Sequence, residues 1–342
     1  MKGFRGFSRS RFLSNREKQQ RYRFVPSWRL AVVAGANQGR PRNGERGMAL
    51  LFVLLVIALL SALVLEFSYD ALLDLRMAET FRDRTRAGYI ARGGVVAGQM
   101  FLREDRNGYD ALTELWAQGL SDYPLEEGLV SIRIHDLGGR LDINRLVTAQ
   151  GNPDAFFRDR FERLFAHLEF EDPVALTEAL IDWLDPDEET LAYGAESDYY
   201  ESLERGYKSK NGPLDTLAEL RQVKDFPSEL VDRLKPHVTL HGSSKLNINT
   251  VSAAVLASLG SSMTLNEAKE IVAQVRAQPL SQVEQLQAFS GSESWYSELR
   301  PYLQVKSETF RVRSRGVVND AVRFASAEVE RTSGRIFFLH LE

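Results

Sequence analysis

The sequence predicts an α+β fold: a long N-terminal helix that begins inside a membrane, a small antiparallel sheet packed on it, and a large all-α domain inserted into that sheet. Three observations predict it. An uncharged apolar run stands at Met48–Leu65. Alternating apolar and polar residues mark a strand at Gly128–Asp136 and return only from Phe310 onward. The intervening stretch, roughly 160 residues, reads at helical period.

The apolar run comes first. Its eighteen residues carry no charge, and Ser61 is the one polar side chain among them. At about 1.5 Å per residue such a helix crosses most of a bilayer core of roughly 30 Å. Residues 1–47 hold twelve Lys or Arg against two Glu, whereas the remainder holds 31 basic against 45 acidic residues. The basic side stays cytoplasmic, so the rest of the chain crosses the membrane. A cleavable secretory signal would have a shorter apolar core followed by a small-residue site, and none follows Leu65. The leader itself, rich in Arg and Gly and without apolar period, reads as disordered.

No Pro occurs between Met48 and Arg106, so the helix is expected to continue to about Arg103, some 84 Å in all. Leu72, Leu73, Met77, Phe81, Tyr89, Ile90, Val95, Val96 and Phe101 are its candidates for a buried face. Gly88, Gly93, Gly94 and Gly98 weaken it by about 1 kcal/mol each unless a sheet needs to come close there. In the strand at Gly128–Asp136, Val130, Ile132 and Ile134 point one way and Ser131, Arg133 and His135 the other. Phe310–Val318, Ala321–Val329 and Gly334–Leu341 form a meander with Asn319-Asp320 at its first turn.

The helical stretch contains a repeat. Pro213-Leu-Asp-Thr-Leu-Ala-Glu-Leu220 reappears as Pro279-Leu-Ser-Gln-Val-Glu-Gln-Leu286, and Leu234-Lys-Pro236 as Leu299-Arg-Pro301. Each copy is expected to be two short helices around a turn, closed by Pro. Arg140-Leu-Asp-Ile-Asn144 and Lys245-Leu-Asn-Ile-Asn249 open the two stretches, with Asn249 or Thr250 capping a helix that runs to about Leu259. The domain plan is therefore a leader at 1–47, a membrane segment at 48–65 continuing as helix to about 103, a sheet domain from 104–143 and 305–342, and a helical domain at 144–304.

Gly47 directly before an apolar helix resembles the processing site of type IV pilin and pseudopilin precursors, which a membrane peptidase cuts after Gly. By that resemblance cleavage falls between Gly47 and Met48, Met48 becomes the methylated N-terminus, and the fifth mature residue, usually Glu, is Phe52. A carboxylate within the bilayer is costly unless paired, and in this family it is thought to meet the amine of the subunit ahead. Its replacement by Phe52 is similar to the minor pseudopilin K of type II secretion, a subunit with nothing ahead of it. The resemblance implies a place at the pseudopilus tip beside minor pseudopilins I and J, contact with prepilin peptidase and inner-membrane lipid, and a face toward secreted substrate or the outer-membrane channel. A type IV pilus tip pilin is the competing structural reading.

Asp182-Trp-Leu-Asp185-Pro-Asp187-Glu-Glu189 and Glu196-Ser-Asp198 place seven carboxylates within seventeen residues. Pro186 and Gly194 punctuate them and favour a loop that folds back on itself. Such a set suits a hard cation with oxygen ligands, Ca2+ more than Zn2+, because Cys is absent and the five His are scattered. A solvated acidic loop is the plainer reading of the composition, and the spacing is not that of an EF-hand. The pseudopilin K resemblance, which includes Lys210-Asn-Gly-Pro213, implies a calcium site with Asp185, Asp187, Glu196 and Asp198 as ligands.

Other chemistries are poorly served. Without Cys there is no disulfide, thiolate site or cysteine nucleophile. No H-E-x-x-H or G-x-S-x-G motif occurs, so the chain does not read as an enzyme. Leu246–Leu256 resembles the start of a DNA-gripping helix-hairpin-helix module, which would suit a membrane protein of DNA uptake. The hairpins at Val223–Pro227 and Gly260–Thr264 lack paired glycines, however, and the acidic balance beyond residue 47 opposes nucleic acid.

Overall fold

The computed structural model describes residues 43–342. The leader expected to be disordered lies outside the described residues except for its last five, which are already helical. Contact clustering divides the chain into two units, Met1–Tyr69 and Asp70–Glu342. Helix α1, Asn43–Glu104, contributes to both.

The first unit is helical throughout its described part, and the run Met48–Leu65 leaves nearly every apolar side chain exposed, Phe52 included. Among the described residues this is the one helix long and apolar enough to cross a membrane. Nothing crowds Gly47: a Cβ added there would meet no atom within 4 Å.

In the second unit α1 lies on a sheet. The chain passes through a one-turn helix α2 (Leu115–Gln118) into β1 (Leu120–Leu125) and β2 (Gly128–Asp136), then through the insertion, and returns in β7 (Thr309–Val318), β8 (Ala321–Glu330) and β9 (Ile336–Leu341). The sheet order is β1-β2-β7-β8-β9, antiparallel throughout. Leu129 pairs with Val317 and Asp136 with Phe310, so the insertion departs and re-enters at one end of a single strand pair. The expected strands and the Asn319-Asp320 turn are all present, Asn319 with a left-handed φ of 51°. β1 was not foreseen. It is a bulged edge strand carrying Pro124, a residue that edge strands accept because their outward N–H groups need no partner.

The buried face of α1 keeps only Val95 and the half-buried Ile90 from the expected one. Ala87, Ala91, Gly94, Val95, Gly98 and Leu102 face the sheet, whereas Leu72, Leu73, Met77, Phe81, Tyr89, Val96 and Phe101 are exposed. Small residues win that face because the backbones come close. A Cβ on Gly98 would stand 2.5 Å from Val312 Cγ1, one on Gly94 2.9 Å from Val130 Cγ2, and one on Gly316 of β7 2.7 Å from Ala91 N. Gly93 points to open space. Val130, Ile132, Ile134, Phe310, Val312, Ala325, Ala327 and Val329 complete this core, with Trp116 edge-on to Phe310.

The insertion has a second, larger core. It runs through β3 (Leu141–Asp142), α3 (Ala155–His167), α4 (Pro173–Leu184), α5 (Ser197–Glu201), α6 (Ser228–Leu234), β4 (Val238–Thr239), β5 (Leu246–Asn247), α7 (Ala253–Ser258), α8 (Leu265–Ala277), α9 (Ser292–Leu299) and β6 (Leu303–Gln304). Each repeat is a 3-10 turn followed by an α-helix, Glu219–Gln222 with α6 and Val283–Ala288 with α9. The motifs preceding them are not helix starts but short strands. Leu141–Asp142 pairs in parallel with Val238–Thr239 beyond the first repeat, and Leu246–Asn247 with Leu303–Gln304 beyond the second. The last Asn of each motif then clasps its own repeat through both amide atoms. Asn144 donates to the Leu214 carbonyl at 3.0 Å and accepts from the Leu214 N–H at 2.7 Å. Asn249 makes the same pair with Leu280, each at 2.9 Å. Asn249 is therefore occupied, and the cap of α7 is Ser252, which accepts from Val255 N.

A buried polar knot joins the insertion to the sheet. Asp136, ending β2, accepts from Gly138 N at 2.7 Å, Ser307 Oγ at 2.8 Å, Asn247 Nδ2 at 3.2 Å and Thr250 Oγ1. Asp110 accepts from Ser307 N at 2.6 Å and from Arg331. Arg331 thereby pairs with two of the three acids of the Asp105–Asp110–Glu114 group, and Glu114 takes the Trp116 indole N–H and Ala111 N.

The two faces of α1 give opposite expectations for the same change. Gly98→Ala should destabilise the protein by about 1–3 kcal/mol through overpacking on Val312, whereas Gly93→Ala should stabilise it by about 0.5–1 kcal/mol through helix propensity. Thermal unfolding of the two variants in detergent reads the difference, and equal shifts would contradict the packing described.

Candidate metal centre

Helix α4 places the first two carboxylates. Every residue from Leu176 to Leu184 is buried, Glu178 and Asp182 among them. Asp185 ends the helix as its C-cap, its N–H on the Ile181 carbonyl at 2.9 Å. Pro186 then turns the chain outward, and the loop returns so that Glu196 stands at the N-cap of α5. The return is tacked down at its tip. Leu191 N donates to Asp182 Oδ2 at 3.1 Å, Tyr193 N to Glu178 Oε2 at 2.8 Å, and Lys224 Nζ reaches the carbonyls of Tyr193 and Gly194. Asn211 holds its outer limb, donating to the Asp187 carbonyl and to Glu188 Oε1. Gly194 has to be Gly because a Cβ there would overlap the Asp182 carboxylate.

The result is a group of three buried carboxylates, Asp182, Asp185 and Glu196, each offering an oxygen within 4.8 Å of the others. Their relative exposures are 0%, 3% and 3%, and Asp182 Oδ1, Asp185 Oδ1 and both Glu196 oxygens are buried without any hydrogen-bond donor. Burial is the main cause that raises all three acids. Asp182 is pushed up to about 6 with Glu178 and Asp187 adding to the effect, Asp185 to about 7 with Asp187 and Asp182, and Glu196 to about 8 with Asp182, Asp185 and Glu188.

Of the four residues taken from the sequence, the structure brings Asp185 and Glu196 together. Asp187 and Asp198 are exposed, Asp187 accepting from Glu189 N at 2.8 Å. Asp187 still faces the group closely enough to raise Asp182 and Asp185, whereas Asp198 sits in the first turn of α5. Asp182 was missing from the selection. The signal that could have found it is its setting, Ala179-Leu-Ile-Asp-Trp-Leu184, a carboxylate flanked on both sides by apolar residues of a helix and one turn beyond Glu178.

Orphaned buried carboxylate oxygens are expensive, and a shared cation removes both the desolvation and the mutual repulsion. Oxygens bound to one ion at about 2.3–2.6 Å lie no more than about 5 Å apart, a condition this group meets. All-oxygen donors on a loop and a helix end fit a hard divalent cation and give a soft metal no ligand.

The insertion matches two family models in succession, both described as type II secretion system protein K, over residues 139–243 and 246–306. Relatives carrying that description extend beyond them. The Aeromonas hydrophila protein is 30% identical over 67% of this chain and 75% of its own length, and the Pseudomonas aeruginosa protein 31% over 64% and 69%. The chain belongs to the type II secretion system protein K family. A Klebsiella pneumoniae member is 29% identical over 86% of this chain and 94% of its own length, which takes the likeness well outside the insertion. The fold agrees with that of a chain in the crystal structure of the GspK-GspI-GspJ complex from the enterotoxigenic Escherichia coli type 2 secretion system. It superposes with a TM-score of 0.66 over 78% of this chain and 99% of that one, at 18% identity. As a protein K, the chain is a pseudopilin of a protein-transport machine.

The raised acids set a pH dependence. A carboxyl whose folded pKa lies above its unfolded value stabilises the fold when protonated and loses that contribution as pH rises through the folded value. With divalent cations chelated, the melting temperature should therefore fall as pH rises from about 5 to about 8, through the three values near 6, 7 and 8. Scanning calorimetry in chelator would measure it, and a melting temperature that climbed over that range would contradict the buried group.

Proposed function

We propose that this protein is the minor pseudopilin that caps the pseudopilus tip, assembles there with minor pseudopilins I and J, and helps to initiate the filament for export of folded proteins. The observation that carries the reading is Phe52, the fifth residue after Gly47, in the uncharged apolar run of α1 in a protein K family member. A following subunit needs a carboxylate there to meet the amine of the one ahead, and a leading subunit does not. The fold shared with a chain crystallised in a GspK-GspI-GspJ complex supports the choice of partners.

Prepilin peptidase removes the leader in this reading, acting at an uncrowded Gly47, and Met48 becomes the methylated terminus. Charge asymmetry about the span supports one crossing of the inner membrane, with the second unit periplasmic. In this reading the insertion faces exported protein or the outer-membrane channel. The role is structural and not enzymatic. Its three carboxylates Asp182, Asp185 and Glu196 hold Ca2+, which when bound supplies the positive charge they lack and fixes the loop against α4. DNA uptake is disfavoured by a specific contact: the hairpin amides of Ser261 and Ser262, where a phosphate would sit, already donate to Glu298 at 2.8 and 3.2 Å.

Mass spectrometry of the protein recovered from cells should find an N-methylated Met48 at its terminus, and recovery of chains still carrying Arg46-Gly47 would overturn the processing. Millimolar calcium should raise the melting temperature, an effect of about 2.7 kcal/mol at a hundredfold excess over Kd. Asp182→Asn should abolish the shift while Asp198→Asn keeps most of it. No shift for the native protein between chelator and calcium would sink the metal assignment.

A further inference from the structure

The face of the sheet turned away from α1 is cationic in an otherwise acidic molecule. Alternation along β2 puts Ser131, Arg133 and His135 on it, and the register sets them opposite Arg315, Arg313 and Arg311 of β7. Arg311 is paired with Glu328 at 2.6 Å and Arg315 with Asp122 at 3.1 Å. Arg133 and Arg313 are exposed, directly opposed, and among the described residues neither meets a carboxylate within ion-pair distance. Opposed like charges weaken a sheet, so their placement asks for a counter-charge from outside. Arg140 adds to them, its guanidinium bonded to the Lys235 carbonyl at 3.2 Å.

Two concavities meet at this spot. One, of about 620 Å3, lies over the sheet between Arg133, Arg313 and His340. The other, of about 450 Å3, runs toward the insertion past Arg140 and Arg276. Arg133 and His135 line both. The carboxylates that border them are already engaged: Asp122 with Arg315 and Ser131, Glu342 with His340, and Asp136 in its knot. His135 reports the uncompensated field, held below its usual value first by burial and then by Arg140, Arg313, Arg311 and Arg133.

We propose that this double groove docks a partner protein through a short cluster of Asp and Glu side chains, which Arg133, Arg313 and Arg140 grip. Guanidinium forks match carboxylates in pairs. A protein segment fits better than nucleic acid because the chain beyond residue 47 carries 31 basic against 45 acidic residues, a field that repels a long polyanion and admits a short one. The concavities, elongated across His135, also exceed the needs of a single inorganic anion.

The test uses the full-length protein in neutral detergent and fluorescein-labelled hexaglutamate, followed by fluorescence anisotropy. Binding should be saturable and weaken as salt rises. Arg133→Gln with Arg313→Gln should weaken it about tenfold or more, while Lys208→Gln with Lys269→Gln, an equal charge change on the insertion, should leave it alone. The arginine double variant should melt no lower than the native protein, which separates lost docking from lost folding. The proposal is overturned if hexaglutamate does not bind, if both double variants bind alike, if inorganic phosphate at equal concentration displaces the peptide, or if an oligothymidylate binds more tightly.

Discussion

Asp136 is a buried carboxylate, and four hydrogen bonds make its burial tolerable. Those bonds also hold the molecule together. Gly138 belongs to the chain leaving the sheet, Ser307 to the chain returning to it, and Asn247 and Thr250 to the middle of the insertion. A domain spliced between two adjacent strands has to bring its ends to one point, and hydrogen bonds to a buried charge are directional enough to fix that point. Losing one donor would leave part of the charge unpaired, a cost of about 1–3 kcal/mol or more. Burial holds the acid above its usual range even so, which measures how much the surrounding donors have to offset.

Behind the knot, the insertion is one device used twice. In each copy a two-residue strand pairs with the strand beyond its repeat, and an Asn amide closes on the backbone of the Leu that follows the repeat's first Pro. The copies diverge two residues before that Asn. Asp142 turns inward to accept from Asn144 N and Gly242 N, whereas Asn247 reaches out to Asp136, Ser307 and the Asp110 carbonyl. A carboxylate only accepts and an amide also donates, so the Asn copy is the one able to bind the acidic knot. The same scaffold therefore supplies one half tied into the knot and one that meets the sheet through His241, bonded to Glu328 at 2.9 Å and stacked on Phe337.

The carboxylate group sits in the first half, on a helix buried from Leu176 to Leu184. Position there follows from packing: Trp183 against Tyr200 and Tyr207 fixes the helix end against α5, and the loop between closes over the acids. Rigid support of this kind fixes the geometry of the three acids and crowds charge that protonation or a cation would relieve. The close seam between α1 and the sheet plays the corresponding part in the other core, where glycines replace side chains so that helix and strands share one layer.

Much of this was legible in the sequence because it depends on local pattern. The apolar run, the alternating strands and the duplicated Pro-to-Pro units each follow from spacing, whereas the Gly47-Met48 junction and Phe52 stand out only through the family resemblance. What local pattern could not decide was which face of α1 is buried. Of its large apolar candidates the structure buries Val95 and half-buries Ile90, and it fills much of the rest of that face with Ala and Gly, because a sheet selects for close approach over bulk. The short parallel strands were illegible too, since two residues carry no period and acquire a partner only some 60 to 100 residues away. For the metal centre the sequence determined that acids crowd the stretch from Asp182 to Asp198. Only tertiary structure decided that Asp182 joins Asp185 and Glu196 while Asp187 and Asp198 face water, because burial is a property of the neighbours a side chain meets and not of its place in the chain.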